Sequence, residues 1–225
     1  IPVEKVNDES LGLTPYVESL CEFVLKCETP MTIAIQGDWG SGKTSMLNMI
    51  REKIDDETIT VWFNTWQYSQ FDMQDDLPVS MLTQFVKAIG GDNEKKLGDS
   101  IRSFAKKGLG TLVKTVATVG AGGLGGELAQ KGVEKLIDGM SPGDLDQSEQ
   151  IKVMRQEISR TVDEKIKGKA NGKIVVFVDD LDRLPPEKAV ELLEVLKNFL
   201  DISGCVFILA VDYGVVVTGV AKKYG

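Results

Sequence analysis

Apolar positions along the chain fall either into short unbroken runs or into segments spaced at three and four residues, and the alternation of the two sets the order of elements. The run MTIAIQ at 31–36 is too short for a helix and too apolar for a surface loop, which predicts a buried strand. Before it, LTPYVESLCEFVLKC predicts a helix over 15–26, with Thr14 as N-cap, Pro15 as first helical residue, and Val17, Leu20, Val24 and Leu25 on one side. After it come GDWGSGKT and a helix through SMLNMIREKI. A β-rich run at 58–63 ends in NTWQY, and a helix over 79–89 carries Met81, Leu82, Phe85 and Ile89 on one face.

Further on, Ile151, Met154, Ile158, Val162 and Ile166 recur at helical steps, predicting one amphipathic helix over 147–166. The run IVVFV at 174–178 is apolar without interruption, as in a strand covered on both faces. Pro185 and Pro186 open a helix that runs to 200, and CVFILAV at 205–211 is a fourth buried strand. Buried strands alternating with helices predict an α/β fold of three layers, a mainly parallel sheet with helices on both faces.

Between 90 and 146 the periodicity is lost and glycines cluster, as in GLGTLVKTVATVGAGGLGGE. This stretch is read as a flexible or partly helical insertion within one domain spanning 1–225. Residues 109–126 hold a single charge, Lys114, which raises the question of a membrane span. Six of these eighteen residues are Gly and three are Thr, too little large apolar side chain for a bilayer helix, so the insertion is the favoured reading.

Composition narrows the chemistry. The chain of 225 residues contains no histidine, so a Ser-His-Asp triad, a Cys-His pair and His-ligated zinc are excluded from its own residues. The formal net charge of −8 gives no general attraction for nucleic acid or anionic lipid. Three cysteines, Cys21, Cys27 and Cys205, are odd in number and lack CxxC spacing, which points to a reducing compartment such as the cytoplasm.

The strongest chemical signal is Gly37-Asp38-Trp39-Gly40-Ser41-Gly42-Lys43-Thr44, which fits G-x-x-x-x-G-K-[ST] between a strand and a helix. A chance match in a chain of this length is on the order of one in a hundred at average residue frequencies. The glycines let the backbone wrap an anion, and the helix that follows adds its positive end. Lys43 is placed to reach the β- and γ-phosphates, Thr44 to take a Mg²⁺ position, and Ser45 follows on the first helical turn. Trp39 either shields the phosphates or packs on the neighbouring helix, and packing is the favoured reading.

A phosphate loop of this kind works with a carboxylate at the end of a nearby strand, and Asp179 is the candidate metal ligand. Asp180, one residue on, is the candidate to orient or deprotonate an attacking water. Arg183 in DDLDRLPP either acts on a neighbouring subunit's nucleotide or pairs with Asp180 or Asp182. Asp212, ending the fourth strand, is either a contact to the γ-phosphate or water, or a turn carboxylate.

GDWGSGKT, VWFNTWQY, VVFVDDLDRL and FILAVD, taken in that order, make the chain resemble the KAP family of P-loop NTPases over about residues 10–90 and 147–225. NTWQY and DDLDR give the resemblance its specificity. It implies ATP as nucleotide, Walker A and Walker B roles for the two motifs, and an additional-strand sheet in which the fourth strand lies between the first and third. It also implies a fifth strand outside the first, expected beyond residue 225 together with a lid and a trans-acting basic finger. The family often carries transmembrane helices in the insertion, and the Gly-rich 90–146 departs from that pattern. Bacterial defence against phage is one setting known for the family. The resulting expectation is a Mg²⁺-dependent ATPase acting as a regulatory switch, by self-association or with a protein partner. The alternative is a scaffold that holds ATP without hydrolysing it. A GTP-specific reading lacks an [NT]KxD element, a small-molecule kinase lacks a declared acceptor pocket, and a DNA motor lacks a basic stripe.

Overall fold

A computed structural model describes residues 2–8, 10–69, 77–90, 147–168, 171–199 and 201–225. The insertion reading for 91–146, including the span question at 109–126, lies outside the described residues. Among those described, no helix is long and apolar enough to cross a membrane.

The elements are α1 (Thr14–Lys26), β1 (Met31–Gln36), α2 (Lys43–Ile54), β2 (Ile59–Asn64), α3 (Thr65–Ser69), α4 (Leu77–Ile89), α5 (Gln147–Ile166), β3 (Ile174–Asp179), α6 (Pro186–Phe199), β4 (Cys205–Val211) and α7 (Tyr213–Tyr224). Among the described residues, four strands form one parallel sheet in the order β1-β4-β3-β2. The fourth strand thus lies between the first and third. Some details differ from the sequence reading. Leu13, not Thr14, stands at the N-cap of α1, with Thr14 already helical. α3 and α7 carry no long apolar period and were not expected.

The alternation of side chains along each strand divides the core in two. Val175 and Phe177 of β3 and Val206, Ile208 and Ala210 of β4 point to the layer of α1 and α2, where Val17, Val24, Leu47 and Ile50 close the core. The intervening residues Ile174, Val176, Val178, Cys205, Phe207 and Leu209 meet α4, α5 and α6 through Phe85, Ile158, Val162, Leu192 and Val195. β3 is buried throughout and β4 is buried except at Val211, as unbroken apolar runs require. β1 is the exception to the buried-strand reading. Its residues alternate between half-buried and exposed, because among the described residues it pairs with β4 alone and forms one edge of the sheet. The fifth strand expected there has no counterpart among the described residues.

Two contacts fix the helices that bear on the site. Lys173 Nζ donates to the carbonyls of Val24 (3.1 Å), Leu25 (2.7 Å) and Cys27 (2.5 Å), placing a cation on the negative end of α1. Gly219 lets α7 lie against α6, since a Cβ there would stand 2.2 Å from the Pro186 carbonyl oxygen.

Candidate nucleotide site

At the carboxyl end of β1 the Gly37 amide donates to the Val211 carbonyl at 3.2 Å, carrying the β1–β4 pairing one residue into the loop. The chain then turns, with the Ser41 amide bonded to the Asp38 carbonyl at 3.1 Å. Gly40 and Gly42 adopt φ of +81° and +90°, a region that side chains with a Cβ avoid. At Gly37 a Cβ would fall 2.3 Å from Ser41 Oγ, so a side chain there would force Ser41 to turn away. α2 starts at Lys43, so the amides of its first turn, from 43 to 45, have no intrahelical acceptor and face the loop with the helix's positive end.

Lys43 is folded inward and 8 % exposed. Its ammonium donates to the Gly37 carbonyl at 2.8 Å and the Asp38 carbonyl at 3.0 Å, and pairs with Asp182 Oδ2 at 2.9 Å. The last contact was not anticipated from sequence, since nothing in DDLDR says which of its carboxylates faces the loop.

Asp179 ends β3 on the face that carries Val175 and Phe177, which is the face covered by α2. There Thr44 Oγ1 donates to Asp179 Oδ1 at 3.2 Å, and the Asp180 amide donates to the same oxygen at 2.8 Å. The side chain is almost wholly buried. Burial is the main cause that lifts its carboxyl above the usual range, the charges of Asp180 and Asp182 add to it, and the two hydrogen bonds offset it only in part. A carboxylate in this position is short of positive charge. Among the described residues no three His, Cys, Asp or Glu side chains cluster to hold a metal alone. Mg²⁺ asks for less, one or two protein oxygens plus phosphate and water, and the adjoining Thr44 and Asp179 fit that demand.

Asp180 sits at φ +60°, the one non-glycine with positive φ among the described residues. Its carboxylate is held at both oxygens, by Arg183 Nε at 2.7 Å and by Asn64 Nδ2 at 2.7 Å. Asn64 ends β2 in register with Asp179, and its Oδ1 accepts from the amides of Trp66 (3.0 Å) and Gln67 (3.3 Å), so it caps α3 as well. Arg183 lies over the Trp66 ring at 4.8 Å, and Thr65 Oγ1 donates to the Asp179 carbonyl at 3.1 Å. The short α3 of NTWQY thereby buttresses the acidic turn. Arg183 pairs with Asp180 and not with its neighbour Asp182.

These groups enclose a cavity of about 330 Å³, a size suited to a small ligand. Of the residues expected at a nucleotide, Trp39, Gly40, Gly42, Lys43, Thr44, Ser45, Asp179, Asp180 and Arg183 line it, together with Pro2 and Asp182. Gly37, Asp38 and Ser41 are not in its wall and act on it by shaping the loop. Trp39 is 78 % exposed, so it does not pack on a neighbouring helix as its size suggested. Asp212 is absent from the wall. Its Oδ1 accepts from the Gly214 amide at 2.8 Å and the Val215 amide at 3.4 Å, which is the N-cap of α7. Pro2 reaches the cavity because the Val3 amide donates to Ser45 Oγ at 2.9 Å and the Val3 carbonyl accepts from Asn48 Nδ2 at 3.2 Å.

A search of curated proteins finds no match to this chain. The model of one protein family does match it, over residues 13–225, a span that holds the glycine loop, Asn64 and the whole acidic turn. With its loop, sheet order and acidic strand end in the arrangement described, the chain belongs to the KAP family of P-loop domains.

Proposed function

We propose that the domain binds ATP with Mg²⁺ and hydrolyses it, and that the hydrolysis serves as a regulatory switch read out by self-association or by a protein partner. The observation that carries this reading is the convergence on one cavity of Lys43, at the start of α2, and the bonded pair Thr44–Asp179. Polyphosphate lies along the loop amides and Lys43, and Mg²⁺, when bound, neutralises charge that develops on the phosphate oxygens. Thr44 and Asp179 would hold it. Asp180 has the chemistry to orient a water, and in this state Asn64 and Arg183 hold its two oxygens. The resemblance of the motifs favours ATP over GTP. Free thiols at Cys21, Cys27 and Cys205 accord with a reducing, cytoplasmic setting.

The alternative, a scaffold that keeps ATP intact, draws on the same observation that both oxygens of Asp180 are already engaged. Asp180→Asn separates the two. The ATPase reading expects binding of ATP to persist and phosphate release to fall at least about a hundredfold, as for loss of a general base. Turnover that is unchanged by Asp180→Asn sinks the role of Asp180, and turnover that is absent from the parent chain across a range of protein concentration favours the scaffold. Lys43→Ala sets the baseline for both. Specific activity that rises with concentration supports a site completed between subunits.

A further inference from the structure

The ammonium of Lys43 has three hydrogens, and three acceptors hold them: the carbonyls of Gly37 and Asp38, and the carboxylate of Asp182. No donor is left over for a phosphate. Both side chains of the ion pair are nearly buried, at 8 % and 7 % exposure, so the pair is shielded from the solvent screening that weakens surface bridges. A phosphate group that reaches Lys43 must therefore displace one of the three acceptors. The two carbonyls belong to the loop that forms the anion cradle, and moving them would dismantle it. Asp182 lies on a different element and carries the charge that a phosphate oxygen would replace.

We propose that Asp182 is an internal stand-in for phosphate, an autoinhibitory contact that holds Lys43 until a polyphosphate displaces it and that passes the displacement to the rest of the acidic turn. This rests on the nucleotide reading of the site. The turn from Asp180 to Leu184 is short and closed, with the Arg183 amide bonded to the Asp180 carbonyl at 3.1 Å and the Leu184 amide to the Leu181 carbonyl at 3.3 Å. Its first residue holds a left-handed backbone, which outside glycine is found mostly at Asn and Asp. Asp182 is anchored on Lys43, and the next residue, Arg183, is anchored on Asp180 and Trp66. Release of the first anchor loosens the second, because the two side chains share one 3-10 turn, Leu181–Arg183. The loop lysine and the candidate water-orienting carboxylate are then coupled, so that Asp180 is freed from Arg183 only after phosphate has arrived.

The test uses tripolyphosphate without metal, bound to the full chain and followed by calorimetry. Asp182→Asn keeps the shape and an acceptor oxygen and removes the charge. Any lost carboxylate in the cavity helps an anion, so Asp180→Asn, which removes an equal charge without touching Lys43, is the comparator. The stand-in expects Asp182→Asn to tighten tripolyphosphate about tenfold more than Asp180→Asn does, the exchange of one charge-assisted contact. Equal gains, or a loss, overturn it. In the unmutated chain, amide exchange across residues 180–184 should become faster when tripolyphosphate is bound. Unchanged or slower exchange there also overturns the proposal, and this arm needs no variant to fold. If neither tripolyphosphate nor Mg-ATP binds the parent or either variant at millimolar concentration, the nucleotide reading itself has failed, and the stand-in with it. Binding by Asp182→Asn where the parent shows none supports the stand-in in its strongest form.

Discussion

Asp179 offers a test in which stability and function move in opposite directions. The carboxylate is buried at the end of β3, faces the charges of Asp180 and Asp182, and is stabilised by two neutral donors. Asp179→Asn removes the charge and keeps an oxygen in place for Thr44 Oγ1 and the Asp180 amide. The folded-state acid is weaker than the unfolded one, so between the two pKa values the native state binds more protons and stability falls as pH rises. Relieving a single unfavourable site of this kind is worth about 0.5–2 kcal/mol, and a domain of this size gains ~2–4 °C in Tm per kcal/mol. In EDTA at neutral pH, Asp179→Asn should therefore melt about 1–8 °C above the parent. The gap should close as pH falls through the raised folded pKa, where the parent carboxyl takes up its proton. Melting curves from pH 4 to 8 measure it, and the same curves with Mg-ADP should show ligand stabilisation in the parent and its loss in the variant. A variant less stable than the parent in EDTA at neutral pH, or a gap that ignores pH, refutes this account of Asp179.

Asn64→Ala should cost about 1 kcal/mol in stability as a lost helix cap and should lower turnover while leaving nucleotide affinity near that of the parent, which steady-state kinetics beside calorimetry will separate. Gly219→Ala drives a Cβ to 2.2 Å from the Pro186 carbonyl oxygen, and the overpacking should cost about 1–3 kcal/mol, read as a lower midpoint in urea. Among the cysteines, burial pushes Cys21 up to about 11 and Cys205 up to about 12, so at pH 8 a thiol reagent should label half-buried Cys27 first, as peptide mapping would show.

The sheet was legible in the sequence because its interior strands are buried on both faces. β3 and β4 read as unbroken apolar runs, and their ends fell within a residue of the observed ones. The glycine loop was legible for a different reason, that few residue types tolerate its geometry. What could not be read is what depends on direction. Thr14 has the chemistry of a cap but lies one residue inside α1, and only the backbone angles of Leu13 decide it. Trp39 has the bulk of a core residue, yet it sits in a loop whose glycines turn it outward. In DDLDR, three carboxylates within four residues are alike on paper, while the left-handed turn at Asp180 sends one to Thr44, one to Arg183 and Asn64, and one to Lys43. Asn64 carried a faint signal, a capping residue directly after a strand and before TWQY. Its bond to Asp180 follows from the register of β2 on β3, which no local pattern encodes.

On the proposed nucleotide reading, the charges in the cavity wall should make a metal a condition of nucleotide affinity and not only of turnover. Three carboxylates, Asp179, Asp180 and Asp182, face two cations, Lys43 and Arg183, and both cations are already paired within the wall. A bare polyphosphate thus enters a site that is net negative, and the loop amides with the helix end offer it only partial charges. A divalent cation held by Thr44 and Asp179 would reverse that balance, because it would supply positive charge beside a buried carboxylate that lacks it. ATP should therefore bind the parent at least about tenfold more weakly in EDTA than in Mg²⁺, a factor that corresponds to only one charge-assisted contact. In Asp179→Asn the two affinities should converge. Calorimetry in both buffers decides the matter. Equal affinities in the parent would mean that the phosphates are held without a metal and that Thr44 and Asp179 serve one another as a structural pair.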